Sequence, residues 1–550
     1  MTVLNLTITS NGSTIDPTIG VLAIDIQHTL NKIPSARLSF IDGDTPNRTF
    51  PVSDAATFAP GALIEVKARW EGETGSKGAD VSLFKGLVVR HSLEASNRGC
   101  LLHIELKDKA VKLTRGRKSA VRLDMTDAAV FKRLIADAGL TAGTVDATTA
   151  SHKSLVQYQS TDWDFMLARA QALGRQVAVH DGTVSVRTPH LSAAPKLRIE
   201  FGLGDVYDWD FEFDGLEQMP GLQTLGWDPA NQAKLSADAA AQAAPDQGSL
   251  TGAKAAAALG LAKRSLHNDL PMLQPELKEW ADGQLTQSRL AMLRGRVSLS
   301  GVGNAALLDV VELSGMGARF NGRALVSGVA HRIEGGDWRT DLQLGLDPSS
   351  LIVADGPSAA PAAALLPAVS GLQIGIITAV GDDPDKAMRV KLKLPALGDD
   401  APELWARWAS PDAGNARGMI FWPEPGDEVA VGFFNDDPRA PVVLGSLFSA
   451  KQVPPAPYDK PDGKNLPRGF FTKSGCEIGF IDDEKPKLFL RTKGKREVML
   501  DDDGKLIKVS DADGNSLTID SNGITLKTGK AFKVDAGGEV VIKGEKIDLQ

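Results

Sequence analysis

The segment from residue 476 to 550 repeats one small unit: two apolar residues at i and i+2, then a turn rich in Gly, Asp, Asn or Lys. The pairs are Ile478/Phe480, Leu488/Leu490, Val498/Leu500, Ile507/Val509, Leu517/Ile519, Ile524/Leu526, Phe532/Val534, Val540/Ile542 and Ile547/Leu549, about 7 to 10 residues apart. A strand places i and i+2 on the same face. The pattern therefore predicts an array of short strands with one continuous apolar stripe. The residues between are largely polar (Lys508, Thr518, Thr525, Lys533, Asp548), while Phe489, Met499 and Val541 interrupt the alternation. Units this short, with no helix or lid between them, build rods and needles rather than pockets.

The remainder of the chain is also β-rich. Period-two alternation marks strands at 4–8, 36–41, 63–68 and 101–106. Two helices are predicted next: Ala128–Ala138, closed by Gly139, and Trp163 to Leu173, capped by Ser160-Thr161-Asp162 and closed by Gly174. Strands 176–180 and 184–188 flank Asp181-Gly182, a hairpin dipeptide. Residues 233–262 are Ala-rich and read as a loop or helical insertion; 275–293 read as an amphipathic helix. Pro-rich stretches at 353–368 and 453–457 mark joints on either side of a compact β segment, 371–449.

The chain carries little sign of chemistry. Its 550 residues allow three or four domains, and the net charge of −8 argues against a nucleic-acid binder. No window is long and apolar enough for a membrane span, and the N-terminus has no signal-peptide pattern. Cys100 and Cys476 read as free thiols suited to assembly in a cytosol. None of the eight histidines has an i,i+4 partner or supporting Cys pair, so no metal site is expected. Carboxylate runs such as Asp399-Asp400, Asp436-Asp437, Asp482-Asp483-Glu484 and Asp501-Asp502-Asp503 sit beside turn residues, which explains them without catalysis. Trp405, Trp408, Phe421, Trp422, Phe433 and Phe434 read as barrel core rather than as a ligand platform. No catalytic residue, cofactor site or metal site is assigned.

Three stretches carry a resemblance. Gln157-Tyr158, Thr161-Asp162-Trp163, Phe165, Arg169, Ala170 and Gly174 match a signature of VgrG and phage late-control-D hub proteins. Trp405-Ala406-Arg407-Trp408, Ser410-Pro411-Asp412, Gly414, Gly418, Trp422-Pro423-Glu424-Pro425-Gly426-Asp427 and Asp436-Asp437-Pro438 through Gly445-Ser446 resemble the OB fold of baseplate spike proteins. The terminal array is similar to that family's β-prism.

The resemblance implies a VgrG-like spike of a contractile injection machine: a type VI secretion apparatus, a released phage-tail-like particle or a phage tail. The implied fold is mainly β with a few helices. An α+β hub of two β-barrel-like domains (1–120 and 191–352, joined by a helical/β segment 121–190) is followed by a linker at 353–370. The OB barrel (371–450), a linker (451–470) and a trimeric, intertwined β-prism or β-helix needle (471–550) complete it.

Three chains wound together would bury the stripe and pair sheet edges that a lone chain leaves open. The expected needle core is Val498, Leu500, Ile507, Val509, Leu517, Ile519, Ile524, Leu526, Phe532, Val534, Val540 and Ile542. Lys546, Ile547, Asp548, Leu549 and Gln550 form the expected platform for a PAAR-type tip protein. Further implied partners are the Hcp-like inner tube protein, baseplate components, effector cargo and, transiently, a target membrane; nucleic acid is not among them. The short 451–470 joint leaves no room for a lysozyme domain, and the end at Gln550 leaves none for a fused effector, so a non-enzymatic part is expected. It would assemble in the cytoplasm and end in an injection particle or be secreted. The competing readings are a β-helical polysaccharide-degrading enzyme and an OB-fold module binding glycan or nucleic acid.

Overall fold

Alternation in residues 63–71 is a direct guide to the first core. Ile64, Val66, Ala68 and Trp70 are buried, and the residues between them face outward. They pack with Ile24, Ile26, Leu38, Phe40, Phe58, Phe84, Leu102, Ile104 and Leu106. The computed structural model describes residues 3–44, 46–71, 80–96, 99–190, 192–202, 205–228, 231, 233–240, 247–347, 369–398, 400, 402–460 and 467–548. The chain divides into two compact units, Met1–Ala360 and Pro361–Gln550. Strands dominate both.

In the first unit a 13-stranded sheet spans distant parts of the sequence. Its order runs from Val206–Phe213 through Leu293–Ser300, Asp337–Leu344 and Gly322–Glu334 to Val21–Thr29. It continues through Ser35–Ile41, Gly99–Lys107, Val81–Ser96 and Leu63–Glu71 to Val3–Ser10. The seam is the antiparallel pairing of Gly322–Glu334 with Val21–Thr29, with Val329 opposite His28 and Ile333 opposite Ile24. Strands on the two sides of the 121–190 segment therefore share one sheet.

That segment folds against its own core. Helix α1 (Asp127–Asp137) is capped by the Thr126 hydroxyl, which accepts from Ala129 N. Helix α2 (Asp162–Ala172) is capped by Thr161, which accepts from Asp164 N. Gly139 and Gly174, at φ of +68° and +66°, end them in the left-handed region that glycine favours. Gln176–His180 and Thr183–Arg187 pair antiparallel across Asp181 (φ +48°) and Gly182 (φ +78°), the expected hairpin. Val130, Phe131, Leu134, Ile135, Phe165, Met166, Val177, Val179, Val184 and Val186 fill the core between.

The Ala-rich stretch differs from expectation. It opens with a strand, Ala233–Asp238, paired to Leu222–Asp228. It closes with the short helix α3 (Gly252–Ala258), whose Ala255 and Ala256 are buried. Residues 241–246 lie outside the described residues. Helix α4 (Gln274–Leu290) buries Leu277, Ala281 and Leu285. It approaches the end of α2 so closely that a Cβ on Gly283 would stand 2.4 Å from Gly174 N.

The hub-signature residues form a buried polar network rather than a surface. Arg169 Nε donates to Asp127 Oδ1 at 2.7 Å, and its Nη2 reaches Glu276 Oε1 at 2.9 Å. His152 Nε2 is 2.8 Å from Asp127 Oδ2. Burial alone would raise the Asp127 pKa, but the His152 and Arg169 hydrogen bonds outweigh it and hold the carboxyl at about 2. Gln157, fully buried, donates to Asp162 Oδ1 and Ser160 O and fixes the start of α2.

In the second unit, Gln373–Val380, Arg389–Lys393, Leu404–Trp408, Pro441–Ser446 and Glu428–Phe433 close a five-stranded barrel. Ile377, Val390, Leu392, Ala406, Val429, Val431 and Val443 fill it. Gly375 is needed inside, because a Cβ there would meet Val431 Cγ2 at 2.7 Å. The aromatic cluster is only partly core. Trp408 and Phe433 pack against the interior. Trp405 stands beside Arg389 and Lys391, each 5.7 Å from its ring. Phe421, Trp422 and Phe434 are exposed. Phe421 and Trp422 lie in irregular chain, where period-two logic has no hold, and Phe434 lies in a tight turn beyond the strand end.

Candidate assembly interface

After the barrel the chain folds back and forth as seven strands. The strands are Pro467–Phe471, Glu477–Ile481, Lys487–Arg491, Glu497–Asp501, Leu506–Ser510, Ser516–Asp520 and Gly523–Lys527. Each pairs antiparallel with the next. Acidic side chains bond the turns, Asp501 of the expected Asp501–Asp503 run and also Asp511. Asp501 Oδ1 accepts from Gly504 N, and Asp511 Oδ1 accepts from Asp513 N and Asn515 N. Lys495 and Lys505 carry the positive φ values of +57° and +47°.

The register aligns the apolar pairs directly across the strands. One row runs Phe480–Leu488–Leu500–Ile507–Ile519–Ile524. The other runs Phe470–Ile478–Leu490–Val498–Val509–Leu517–Leu526. A one-residue slip in any strand would send its apolar pair to the opposite face. That opposite face carries ion pairs. Glu477, Arg491 and Glu497 lie in register, with Arg491 Nη2 2.6 Å from Glu497 Oε2 and Nη1 3.6 Å from Glu477 Oε2. Lys487 Nζ meets Asp501 Oδ2 at 2.8 Å, and this bond lowers the Asp501 pKa. The Tyr458 hydroxyl donates to Glu477 Oε1 at 2.6 Å.

Phe489, an apparent break in the alternation, is buried on this polar face over Gly479. A Cβ on that glycine would be 2.3 Å from the Phe489 ring. The glycine between Ile478 and Phe480 was a signal in the sequence that such packing occurs.

Among the described residues nothing covers the apolar face. Leu488, Val498 and Leu517 are half-buried, but Ile478, Phe480, Leu490, Leu500, Ile507, Val509 and Ile519 are exposed. Exposure reaches 71% at Ile524 and 61% at Leu526. Isolated exposed apolar residues are ordinary, whereas a contiguous double row across several strands marks an interaction surface.

The expected core residues Phe532, Val534, Val540 and Ile542 also stand exposed, and no strand pairing is recorded for the described chain beyond Lys527. The strands expected there are not formed inside one chain, because a strand needs a neighbour to bond. At the expected tip, Lys546 Nζ is 2.8 Å from Asp548 Oδ2 and Ile547 is exposed. Leu549 and Gln550 lie outside the described residues. Among the described residues no set of three His, Cys, Asp or Glu side chains is placed to hold a metal ion. Cys100 and Cys476 are free thiols. Among the described residues, no helix is long and apolar enough to cross a membrane.

Three family models match. Residues 1–335 match the Alg8 N-terminal domain. Residues 373–448 match the type VI secretion system/phage-baseplate injector OB domain, and 487–549 match the phage baseplate V C-terminal trimerisation domain.

The chain is similar over 102 residues to the type VI secretion system spike protein VgrG4b of Pseudomonas aeruginosa. It is 35% identical there, over 17% of this chain and 12% of that protein's length. Among solved structures it resembles a tail protein from Neisseria meningitidis (TM-score 0.45, 15% identity, 62% of this chain and 97% of that one). Another is an E. coli component of the type VI secretion system (TM-score 0.39, 12% identity, 80% of this chain and 99% of that one). With its first 335 residues matched by one family model and the two baseplate domains following in order, the chain belongs to the Alg8 N-terminal domain family and carries an injector OB domain and a baseplate trimerisation domain like those of VgrG-like spike proteins.

Proposed function

We propose that three copies of this chain form the central spike of a contractile injection machine. The single observation that carries this is the uncovered double row of apolar side chains from Phe470 to Leu526. Three such faces turned inward form a prism whose outside is the ion-paired face of Glu477, Arg491, Glu497, Lys487 and Asp501. Burying the exposed half of each stripe residue contributes about 1 kcal/mol, so ten of them contribute about 10 kcal/mol per chain. That is comparable with the estimated cost of association, about 4–15 kcal/mol. Strands stacked about 4.8 Å apart make the seven-stranded stretch about 29 Å long. Beyond Lys527 the alternation continues without a partner in the chain, which supports pairing of Phe532/Val534 and Val540/Ile542 with neighbouring copies.

In this reading the first 352 residues are the hub that meets an Hcp-like inner tube and baseplate components. The barrel is a collar, and residues 546–550 of the needle form the platform for a PAAR-type tip protein. Sheath contraction drives the assembly into a target membrane, with effector cargo attached or carried behind. The spike transmits force and docks partners, and it performs no catalysis. It assembles in the cytoplasm and leaves with the particle.

Deleting residues 546–550 should abolish capture of the tip protein while the trimer persists. Retained capture refutes the assignment of the platform. Turnover of peptidoglycan, polysaccharide or a nucleotide sugar by the purified chain refutes the non-catalytic reading.

A further inference from the structure

The apolar face does not stop at the first needle strand. Phe470, the last apolar member of its row, stacks on Phe421 of the barrel's irregular 419–424 segment, with ring centroids 5.8 Å apart and planes 18° apart. Both rings remain about half exposed, although a stacked pair in a finished core would be covered. Lys473 Nζ bonds Glu424 Oε2 at 2.8 Å and pins the same segment to the sheet. Met419, Ile420 and Trp422 are exposed beside Phe421, with Ile420 at 73%, while the adjoining Pro423 is buried. The segment is thus anchored at its base and presents a four-residue apolar ridge. Next to it the sheet face is concave: a hollow of about 620 Å³ is lined by Phe470, Phe480, Leu488 and Leu500, with Arg468 and Asp482 at its rim.

We infer that the Met419–Trp422 ridge of one copy seats in the Phe470–Leu500 hollow of the next. The subunit interface then runs without a break from needle into barrel. The occupant is a second copy because ridge and hollow both belong to the surface that the needle rows define. A ridge meeting a different surface on its neighbour is a head-to-tail contact, which closes into a ring when the rotation permits. Three such contacts place an aromatic layer at the base of the needle and fix the barrels around it. This inference rests on the trimeric reading.

The test uses the full chain with Cys100→Ser and Cys476→Ser and one new thiol, Ile420→Cys. Thr525→Cys, on the outer face of the needle, is the reference. Alkylation by N-ethylmaleimide is timed with sedimentation velocity on the same samples. The expected result is a trimer in which the thiol at 420 reacts at least tenfold more slowly than that at 525. Adding Leu526→Asp, which should separate the copies, should remove the difference. Equal rates at both sites in a sample that sediments as a trimer overturn the ridge-in-hollow contact and leave the trimer standing. Sedimentation of the Ile420→Cys and Thr525→Cys proteins as monomers overturns both.

Discussion

Leu526→Asp separates the needle's two faces more sharply than other single changes. In one chain Leu526 is 61% exposed and lies opposite Leu517 on the last paired strand. A carboxylate there faces water, so the folded monomer should change by no more than about 0.5 kcal/mol. In the trimer three carboxylates would enter the apolar column together. Each loses roughly 1–2 kcal/mol of apolar burial and carries a desolvation penalty of several kcal/mol. The total is on the order of 10 kcal/mol or more, and every 1.4 kcal/mol is about tenfold, so the association constant should fall by at least about 10⁷. The neighbouring Thr525→Asp places the same charge on the polar face, beside Thr518, and should leave assembly intact. Sedimentation velocity at micromolar protein reads both variants. Leu526→Asp sedimenting as a trimer, or Thr525→Asp dissociating equally, would refute the assignment of inside and outside.

Two predictions concern the other bodies. Asp127, held at about 2 against roughly 3.9 unfolded, contributes about 2 kcal/mol that is complete above pH 4 and lost as the pH falls towards 2. His331, which burial, reinforced by the nearby His28, holds at about 3, adds a loss that begins below about pH 6.5. Asp127→Asn should cost about 1.5–3 kcal/mol by leaving Arg169 with Glu276 as its one carboxylate partner in this network, and should remove the step between pH 4 and 2 in an acid titration followed by circular dichroism. An unchanged acid profile contradicts the network. Leu392→Ala should destabilise the barrel by about 2–5 kcal/mol, read as a lowered calorimetric transition for the second unit with the first unchanged. A shift in both transitions would show that the two units do not melt independently.

Features set by local chemistry were legible in the sequence. Each apolar pair from Ile478 to Leu526 lies on one face because strand geometry alone dictates i and i+2. Thr161, Gly174 and Asp181-Gly182 bound their elements as their capping and turn preferences require. Features set by distant partners were not legible. Nothing near Val21–Thr29 announces that it pairs with Gly322–Glu334. Gly283 looks like a flaw in α4 until Gly174 is seen against it. Arg169 and Gln157 were visible as signature residues, but their partners Asp127, Glu276 and Asp162 come together only in the fold. The apolar alternation around Phe421 reads as barrel core, but the residue lies in irregular chain where that period does not apply. Its actual neighbour, Phe470, lies across the second Pro-rich joint.

The central claim is that the apolar face is closed by two further copies of itself. Native mass spectrometry of the full chain at micromolar concentration tests it directly. The account predicts one species at three times 58.3 kDa. A stable species of one or two copies, with the Phe470-to-Leu526 face still open, would contradict it.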